Sequence, residues 1–452
     1  MSTQEVTAPD GQSFEEQIRE IIQAAAAHDI KALEACISKY SFPDCKAVDV
    51  QDLQTGQSPL RAAIASCRPT TNGVDSGQEP ADVEVAAAET VRFLLENGAI
   101  WNQLDNNDET PGCIAHRLGL DDLYQMMVDA GVRAEMLLSR LEEYERLGDD
   151  EEAEADKADD DDNAGRPSGE EQDATDGHQQ DDDKHDVPDT TQDVTSSAYL
   201  SSTLALSNNK LLDEQHNGVM MAWESGIMKQ SADALLSEPG MNILNIGFGM
   251  GIIDSYIQNH ANQPANHHIV EAHPSVLEEM KSKGWMDKPN VVVHSGKWQD
   301  VLPQLVAEGE TFDAIYFDTF AESYSDFRDF FQEQVIGLLN QHGRWSFFNG
   351  MGADRQISYD VYQKVVEMDL LESGFDVEWQ DVPLPDLEQE WDGVRRKYWN
   401  VTSYRLPVHP RTCLKEQLAR IWACQSGTRK GSFAPTSRIR IIHGYAIRSS
   451  NH

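Results

Sequence analysis

Three glycines at alternate positions are the residues whose type and spacing point most directly to chemistry. Gly247, Gly249 and Gly251 follow the apolar run 241–246. Because glycine has no Cβ, such a loop can adopt positive φ and approach a ligand closely, while the helix that follows offers free N–H groups at its N-terminus. A dinucleotide-binding turn would need its third glycine at position 252, which is Ile252. The spacing therefore predicts a nucleotide-binding turn of a different kind, between a strand and a helix.

Two later segments supply residues that a nucleoside would need. The segment 268–273 is predicted to be a strand, and its Glu271 could accept hydrogen bonds from both hydroxyls of a ribose. The segment 290–296 predicts another strand, and Trp298 follows it, where the indole could lie against an adenine ring. The simpler alternatives are a turn that needs glycine for steric reasons and a solvated carboxylate. The spacing of Glu271 from the glycines favours the ribose, and the G-x-G-x-G turn resembles motif I of S-adenosylmethionine-dependent methyltransferases.

The order of strands and helices around these residues predicts an α/β fold. The predicted strands are 241–246, 268–273, 290–296, 312–318, 343–349, 375–382 and 398–404, with helices at 325–339 and 358–373. Such alternation implies a parallel sheet that is covered by helices on both faces. The seven strands match the Rossmann-like methyltransferase sheet, whose last strand is antiparallel. Ligands bind at the carboxyl ends of the strands in sheets of this kind.

Charge is distributed unevenly and divides the chain into four parts. The 452 residues carry a net charge of −42, and the block 149–193 is dominated by Asp and Glu. This block has few apolar residues and cannot offset the entropy of ordering, so we expect a disordered linker over 146–196. The linker separates a helical domain (1–145) from a methyltransferase domain (197–410). A basic tail (411–452), also predicted to be disordered, follows.

The acidity and the cysteines argue against several classes of function. The acidic linker is either a solvated spacer or a lure for a basic protein, and strong acidity argues against direct binding of nucleic acid. The six cysteines have no C-x-x-C pairing and no metal spacing, so we expect no metal site and a reducing compartment. No segment approaches the length of a membrane span. We therefore expect an intracellular, soluble monomer that does not bind membranes.

The N-terminal part contains a weak internal repeat. The segments 55–63 and 107–115 both resemble the T-P-L-H-x-A start of an ankyrin repeat, and 91–99 and 122–131 resemble closing helices. The two starts lie further apart than the ankyrin period, and the polar stretch 68–82 accounts for most of the excess as an inserted loop. We therefore expect an all-α, ankyrin-like repeat domain of about three repeats. The alternative is an ordinary small helical bundle.

Four short motifs make the resemblance narrower. They are 219–228 with its W-E pair, the glycine turn 245–251, and the segments 296–301 and 317–320. In this order they are similar to guanidinoacetate methyltransferases. With the ankyrin-like N-terminus, the chain resembles fungal type IV protein arginine methyltransferases up to about position 408. The resemblance implies S-adenosyl-L-methionine as cofactor and methylation of the internal (δ, N5) guanidino nitrogen of arginine. The implied substrate is a basic protein of the ribosome. The implied localisation is the cytoplasm and the nucleus.

The resemblance also implies which residues form the site. The implied cofactor contacts are Tyr199, Met220, Met228, Gly247, Phe248, Gly249, Met250, Gly251, Ile252, Glu271, Ala272, His273, Gly296, Lys297, Trp298 and Asp318. Glu224 and Asp318 are the implied catalytic pair, since a guanidinium presents a planar fork of N–H donors to carboxylates. Such carboxylates would orient one nitrogen toward the methyl group and accept the released proton. Without the resemblance, Glu224 would be a helix-surface charge, Asp318 a helix cap, and Met220 and Met228 core residues on one helical face.

Two other functions stay open at this level. The chain could be a methyltransferase for a guanidino metabolite with an appended binding module, or a scaffold without catalysis in which the helical domain does the work. The intact glycines and the two carboxylates weigh against the scaffold, and the helical domain favours a protein target. The basic tail has three open interpretations: a nuclear signal, a partner of the acidic linker, or an artefact of gene-model translation.

Overall fold

The computed structural model describes four stretches of the chain, which are residues 13–67, 80–158, 195–207 and 209–412. The predicted disorder of the acidic linker falls largely on 159–194, outside the described residues. The basic tail beyond 412 and most of the predicted inserted loop also lie outside them.

The first border of the predicted linker is corrected by the structure. The helix that begins at Asp121 continues to Ala158, so the linker is helical from its predicted start at 146 to this point. Alanine and glutamate recur in this stretch and are good helix formers, so local propensity carries the helix into the acidic block. At the far end, the last strand continues to Thr412, past the predicted start of the tail.

The described part of the N-terminal domain contains six α-helices. They are α1 (Phe14–Ala26), α2 (Ile30–Lys39), α3 (Pro59–Ala65), α4 (Pro80–Glu96), α5 (Pro111–Leu118) and α6 (Asp121–Ala158). Their buried apolar side chains, among them Ile21, Ala63, Val91 and Leu123, form one core. The predicted all-α character is therefore present, whereas the ankyrin-like class stays a prediction. None of the helices in the described stretches is both long and apolar enough to cross a membrane.

The two repeat-like segments begin their helices in the same way. The hydroxyls of Ser58 and Thr110 each accept a hydrogen bond from the backbone N–H three residues on, at 3.3 and 3.2 Å, and a proline follows each of them. The loops that precede them lie side by side, since Asn106 Nδ2 donates to the carbonyl of Gln54 at 2.8 Å. The internal repeat in the sequence thus corresponds to two adjacent, equivalent helix starts.

The second domain, which is the predicted methyltransferase domain, alternates strands and helices. Its described strands are β1 (Ala205–Ser207), β2 (Lys210–Leu212), β3 (Gly218–Met221), β4 (Asn242–Ile246), β5 (Asn266–Glu271), β6 (Val291–Ser295), β7 (Phe312–Phe317), β8 (Leu339–Phe347), β9 (Phe375–Pro383) and β10 (Ser403–Thr412). Its described helices are α7 (Ser196–Ser201), α8 (Ser225–Leu235), α9 (Ile252–Gln258), α10 (Pro274–Ser282), α11 (Trp298–Glu308), α12 (Tyr324–Asp329), α13 (Val335–Leu338) and α14 (Gln356–Glu372). A π-helical turn, Phe330–Gln334, joins α12 to α13 and breaks the single helix that was predicted there.

Five of these strands form a parallel sheet in the order β6-β5-β4-β7-β8. The predicted seven-stranded sheet is corrected, because β9 and β10 form a separate antiparallel pair. In β10, Pro407 has no N–H to donate to a neighbouring strand, and the pairing with β9 shifts register after Val408. The pair still lies beside the sheet, since Ser346 Oγ of β8 donates to the carbonyl of Pro407 at 3.0 Å.

A small antiparallel sheet, β1-β2-β3, precedes the main sheet and was not predicted. It corrects the interpretation of 219–228 as one helix. Met220 lies on β3 and Met228 on α8, with the W-E pair at the junction between them. Both methionines are buried in the same core, which also contains Ile243 and Tyr316 of the main sheet.

Helix α14 packs against both domains. On one side, Ile357, Val361 and Val365 are buried in the core of the N-terminal domain. On the other side, Val366 and Leu370 are buried in the core below the sheet. The helical domain is therefore attached to the methyltransferase domain through a helix of the latter.

Hydrogen bonds cross the same interface. Tyr124 Oη donates to Asp360 Oδ2 at 2.6 Å, and Tyr362 Oη donates to Glu135 Oε2 at 3.0 Å. Polar contacts of this kind fix the register of α6 on α14 as well as adding to the apolar packing.

Candidate active site

The carboxyl ends of three neighbouring strands come together at the glycine turn. Ile246 of β4 pairs with Val270 of β5 and Phe317 of β7. Gly247 has φ +89°, and a Cβ on it would lie 1.8 Å from the carbonyl oxygen of Asp318. A side chain at position 247 would therefore collide with the backbone of the next strand end. The sequence needs glycine here for both the dihedral angle and the close approach.

Glu271, at the end of β5, holds the glycine turn through its carboxylate. Oε2 accepts hydrogen bonds from the backbone N–H of Phe248 at 2.9 Å and of Gly249 at 3.4 Å, and Oε1 accepts one from the N–H of His273 at 2.7 Å. Burial raises the pKa of Glu271, while these backbone donors act in the opposite direction. Gly247, Gly249 and Glu271 together form the glycine-turn side of the site.

A cavity of about 280 Å³ opens at these strand ends. The predicted site residues that line it are Tyr199, Met220, Glu224, Gly247, Gly249, Glu271, Ala272, Gly296, Lys297, Trp298 and Asp318. The structure thus brings together residues from α7, β3 and the ends of β4 to β7. Both predicted catalytic carboxyls are among them.

The other predicted cofactor contacts are not among the residues that line the cavity, and their contact with the cofactor stays a prediction. They are Met228, Phe248, Met250, Gly251, Ile252 and His273. Phe248 is buried against the ring of Trp285, and His273 Nε2 lies 3.0 Å from the carbonyl of Tyr199. The backbone N–H of Met250 donates to Met220 Sδ at 3.2 Å. Met228, Phe248 and His273 are buried, whereas Met250 and Ile252 are partly exposed.

Glu224 is a buried acid that lines the same cavity, and it is not a surface charge. It is 2% exposed, and its Oε1 accepts hydrogen bonds from the backbone N–H of Met221 at 2.9 Å and from the hydroxyl of Tyr398. Burial raises the pKa of Glu224 to about 7, and the two hydrogen bonds lower it. The carboxyl is therefore poised near neutrality.

Asp318 follows β7 and has a more extreme environment. Its Oδ2 is inaccessible and has no hydrogen-bond partner among the described residues. Burial, then the charges of Glu224 and Asp254, raise the pKa of Asp318 well above its usual value. Asp318 caps no helix in the structure, because Ser323 caps the next one. Glu224, Asp318 and Tyr398 together form the carboxyl side of the site.

The cavity is also lined by residues that the sequence analysis did not single out, among them Glu322 and Tyr398. Glu322 Oε1 and Oε2 accept from the indole N–H of Trp298 at 2.8 and 3.0 Å, and burial raises the pKa of this carboxyl. Tyr398 lies in the loop before β10, not in the predicted strand 398–404, and its ring is stacked on that of Trp223 at 6.1 Å. The aromatic cluster at Trp391 and 398–399 was the one available signal, since 174 positions separate Tyr398 from Glu224.

The arrangement suits a positively charged ligand beside a nucleotide-like one. A cation that binds beside two carboxyls with raised pKa values stabilises their ionised forms and lowers these pKa values. The glycine-turn side, together with Trp298, offers what a nucleoside requires: glycines without Cβ atoms, the acid at the end of β5 and an indole. No group of three or more His, Cys, Asp or Glu side chains in the described stretches is placed to hold a metal ion.

Comparison with known proteins identifies the family. The guanidinoacetate N-methyltransferase family model matches residues 203–383. Protein arginine N-methyltransferase 2 of Aspergillus fumigatus is 56% identical over 423 residues, covering 88% of this chain and 97% of the relative. The chain belongs to the protein arginine N-methyltransferase 2 family. The family's proteins from Aspergillus oryzae and Neurospora crassa are 55% and 44% identical, covering 86% and 87% of this chain and 96% and 95% of the relatives.

Membership of the arginine N-methyltransferase family confirms two predictions. The resemblance noted in the sequence was correct, and the cofactor is S-adenosylmethionine. Aeropyrum pernix fibrillarin bound to S-adenosyl-L-methionine is a structural neighbour, with a TM-score of 0.28 and 14% identity, covering 46% of this chain and 83% of that one. So low a score carries no functional argument, and the assignment rests on the arginine N-methyltransferase relatives.

Proposed function

We propose that this chain methylates the internal (δ, N5) guanidino nitrogen of an arginine. The proposed substrate is a basic protein of the ribosome. The observation that carries the proposal is that two neighbouring carboxyls, the buried Glu224 and the partly buried Asp318, line the same cavity. An arginine guanidinium is a planar cation that offers N–H donors in a fixed fork, and it matches carboxylate oxygens in both charge and geometry. An acceptor without a positive charge would not stabilise the ionised carboxylates, and the pKa values of Glu224 and Asp318 would stay raised.

The residues of the glycine-turn side fit the cofactor. Gly247 and Gly249 leave the room that a side chain would fill, and Glu271 lies at the strand end where a ribose diol would meet it. Trp298 offers an apolar face to an adenine ring. When bound, S-adenosylmethionine supplies an activated methyl group on a sulfonium.

The two carboxyls perform the protein's share of the chemistry. They hold the guanidinium in one orientation, which turns a bimolecular encounter into a positioned reaction. The nitrogen that gains the methyl group loses a proton, and Glu224 or Asp318 accepts it. An acid whose pKa is about 7 is a stronger base than an ordinary glutamate, so the burial that raises the pKa of Glu224 also serves proton transfer.

A protein substrate is supported by the rest of the chain. The net charge of −42 favours encounter with a basic partner. The helical domain packs on α14, and Val366 of that helix lines the cavity. A partner that docks on the helical domain would therefore lie near the site, and cytoplasm and nucleus are the proposed places of encounter.

The test is a labelling experiment with product analysis. The purified protein is incubated with labelled S-adenosylmethionine and a fungal ribosomal extract, and the proteins are then separated, hydrolysed in acid and analysed for amino acids. We expect label as δ-N-methylarginine in one protein band. Label on a terminal guanidino nitrogen would contradict the δ position, and label in many bands would contradict a dedicated substrate.

A small guanidino acceptor is the second candidate. It is favoured by the guanidinoacetate N-methyltransferase model, which matches 203–383 and leaves out the helical domain. Guanidinoacetate and the ribosomal extract are supplied as competing acceptors to the same protein. Transfer to guanidinoacetate at the higher kcat/KM would favour the metabolite enzyme, and transfer to protein alone would exclude it.

A further inference from the structure

Tyr398 contacts one of the proposed catalytic acids without belonging to any motif in the sequence. Its hydroxyl donates to Glu224 Oε1, the same oxygen that accepts from the backbone N–H of Met221. All hydrogen bonds that the described residues make to Glu224 reach this oxygen. Oε2 is therefore the oxygen left for a ligand in the cavity, which both Glu224 and Tyr398 line.

Aromatic packing fixes the Tyr398 ring. Trp223 stacks on it at 6.1 Å with an interplanar angle of 28°, and Trp391 meets it edge-on at 5.0 Å and 90°. Gly218 of β3 provides the remaining space, since a Cβ there would lie 3.0 Å from Tyr398 Cε1. A phenol held on several sides delivers its hydroxyl to one point and loses little entropy in doing so.

We propose that Tyr398 is a positioning residue for methyl transfer, which occupies Glu224 Oε1 and so presents Oε2 to the acceptor guanidinium. The proposal rests on the proposed function, because it takes the guanidinium as the group that Oε2 meets. It adds a contact from the loop before β10, far in sequence from the motifs of the methyltransferase core.

Tyr398 acts as a donor and not as the base. Burial, followed by the charge of Glu224, raises the pKa of Tyr398 well above its usual value, so the phenol keeps its proton at neutral pH. Its hydrogen bond to Glu224 lowers the pKa of that acid, against the larger effect of burial. Loss of the hydroxyl would therefore raise the pKa of Glu224 further.

Few other titratable groups face Glu224 from the packed elements. They are Asp318 after β7, Tyr316 on β7 and Tyr404 on β10. The pKa values of both tyrosines lie well above 10.0, so they stay neutral when Glu224 titrates. Asp318 is present in the parent and in the variant alike, and a change in pH profile on loss of the Tyr398 hydroxyl can be traced to Glu224.

The test compares Tyr398→Phe with a matched control. Tyr256→Phe removes a hydroxyl that lies 2.8 Å from Ser225 Oγ, next to Glu224 in sequence, but leaves the partners of the carboxyl intact. Methyl transfer from labelled S-adenosylmethionine to the ribosomal extract is measured against pH. In Tyr398→Phe we expect kcat/KM at neutral pH to fall roughly ten- to hundredfold. The acidic limb should move to higher pH, with partial recovery in alkali and unchanged cofactor affinity.

A measurement without any acceptor separates this proposal from the proposed function. The protonated-carboxyl band of Glu224 is followed by infrared difference spectroscopy against Glu224→Gln, in the parent, Tyr398→Phe and Tyr256→Phe. A higher midpoint in Tyr398→Phe alone supports the positioning role even if arginine proves to be the wrong acceptor. An unchanged midpoint, or an equal shift in Tyr256→Phe, would overturn it, as would an activity loss with an unmoved acidic limb.

Discussion

The two sides of the site differ in how their charged groups are satisfied. On the glycine-turn side, Glu271 accepts three backbone N–H groups at 2.7 to 3.4 Å. On the carboxyl side, the described residues give Glu224 donors on one oxygen alone, and Asp318 Oδ2 has none. The first side is held in place by the protein's own donors, whereas the second leaves carboxyl oxygens without a donor from the described residues. The contrast agrees with the proposal that the first side binds the cofactor and the second meets a cationic acceptor.

Gly247→Ala should cause the largest loss on the glycine-turn side. The new Cβ would lie 1.8 Å from the carbonyl oxygen of Asp318 at φ +89°, so the strand ends must separate. We expect destabilisation above about 4 kcal/mol and no measurable cofactor binding in calorimetry. Gly240→Ala is the control, since φ is +82° but nothing lies within 4 Å, and it should cost only about 1–2 kcal/mol. If the two substitutions had equal effects, the close approach of Gly247 to the Asp318 carbonyl would not be the cause of the loss.

Glu224→Gln should stabilise the protein above neutral pH, in contrast to the loss at Gly247. The folded pKa of about 7 exceeds the ordinary 4.5, so the ionised acid is disfavoured in the folded state. This penalty is absent below about 4.5, grows as pH rises, and is complete above 7, where it reaches about 3 kcal/mol. Urea unfolding at pH 5 and pH 8 measures it. A variant that is less stable than the parent at pH 8 would contradict the burial of an uncompensated charge.

The pH profile of methyl transfer should report the carboxyl side. Because Glu224 must be ionised to pair with a guanidinium, kcat/KM for the acceptor should fall about tenfold per unit below a midpoint near the folded pKa. Cofactor affinity should not follow this titration, since Glu271 is held by backbone donors. If cofactor affinity and kcat/KM for the acceptor fell together on acidification, the two sides of the site would not have separate roles.

A pair of methionine variants gives the smallest expected effect. Met220 lines the cavity and its Sδ accepts the N–H of Met250 at 3.2 Å, whereas Met228 is fully buried and does not line the cavity. Leucine conserves the volume, so each change should cost less than about 1.5 kcal/mol in stability. Met220→Leu should weaken cofactor binding measurably, and Met228→Leu should leave it unchanged. A weaker affinity in Met228→Leu would support a direct contact of Met228 with the cofactor, as the resemblance implied, and would contradict this expectation.

The glycine-turn side could be predicted from the sequence because its contacts are local. Gly247, Gly249 and Glu271 lie on consecutive strands of one parallel sheet, so their spacing along the chain fixes their meeting point. Glu224 and Asp318 were found only through resemblance, since no periodicity marks a single acid as buried. Tyr398 was missed because it meets Glu224 through a fold-level contact between distant segments.

Errors in the fold prediction have equally specific causes. The helix over 146–158 follows local propensity that the acidic composition concealed. The separate pair β9-β10 arises where Pro407 lacks the N–H that a continuous sheet would use. The attachment of the helical domain to α14 could not be predicted, since Ile357, Val361 and Val365 have the spacing of any buried helix face.

The central claim is that the carboxyl side serves the reaction and the glycine-turn side serves the cofactor. Its most direct test is to measure cofactor affinity by calorimetry and transfer to the ribosomal extract by label, both in Glu224→Gln. We predict unchanged affinity for S-adenosylmethionine and a rate reduced by roughly 10²- to 10⁴-fold. Retained transfer in a folded variant, or loss of rate that is explained by lost cofactor affinity, would contradict the claim.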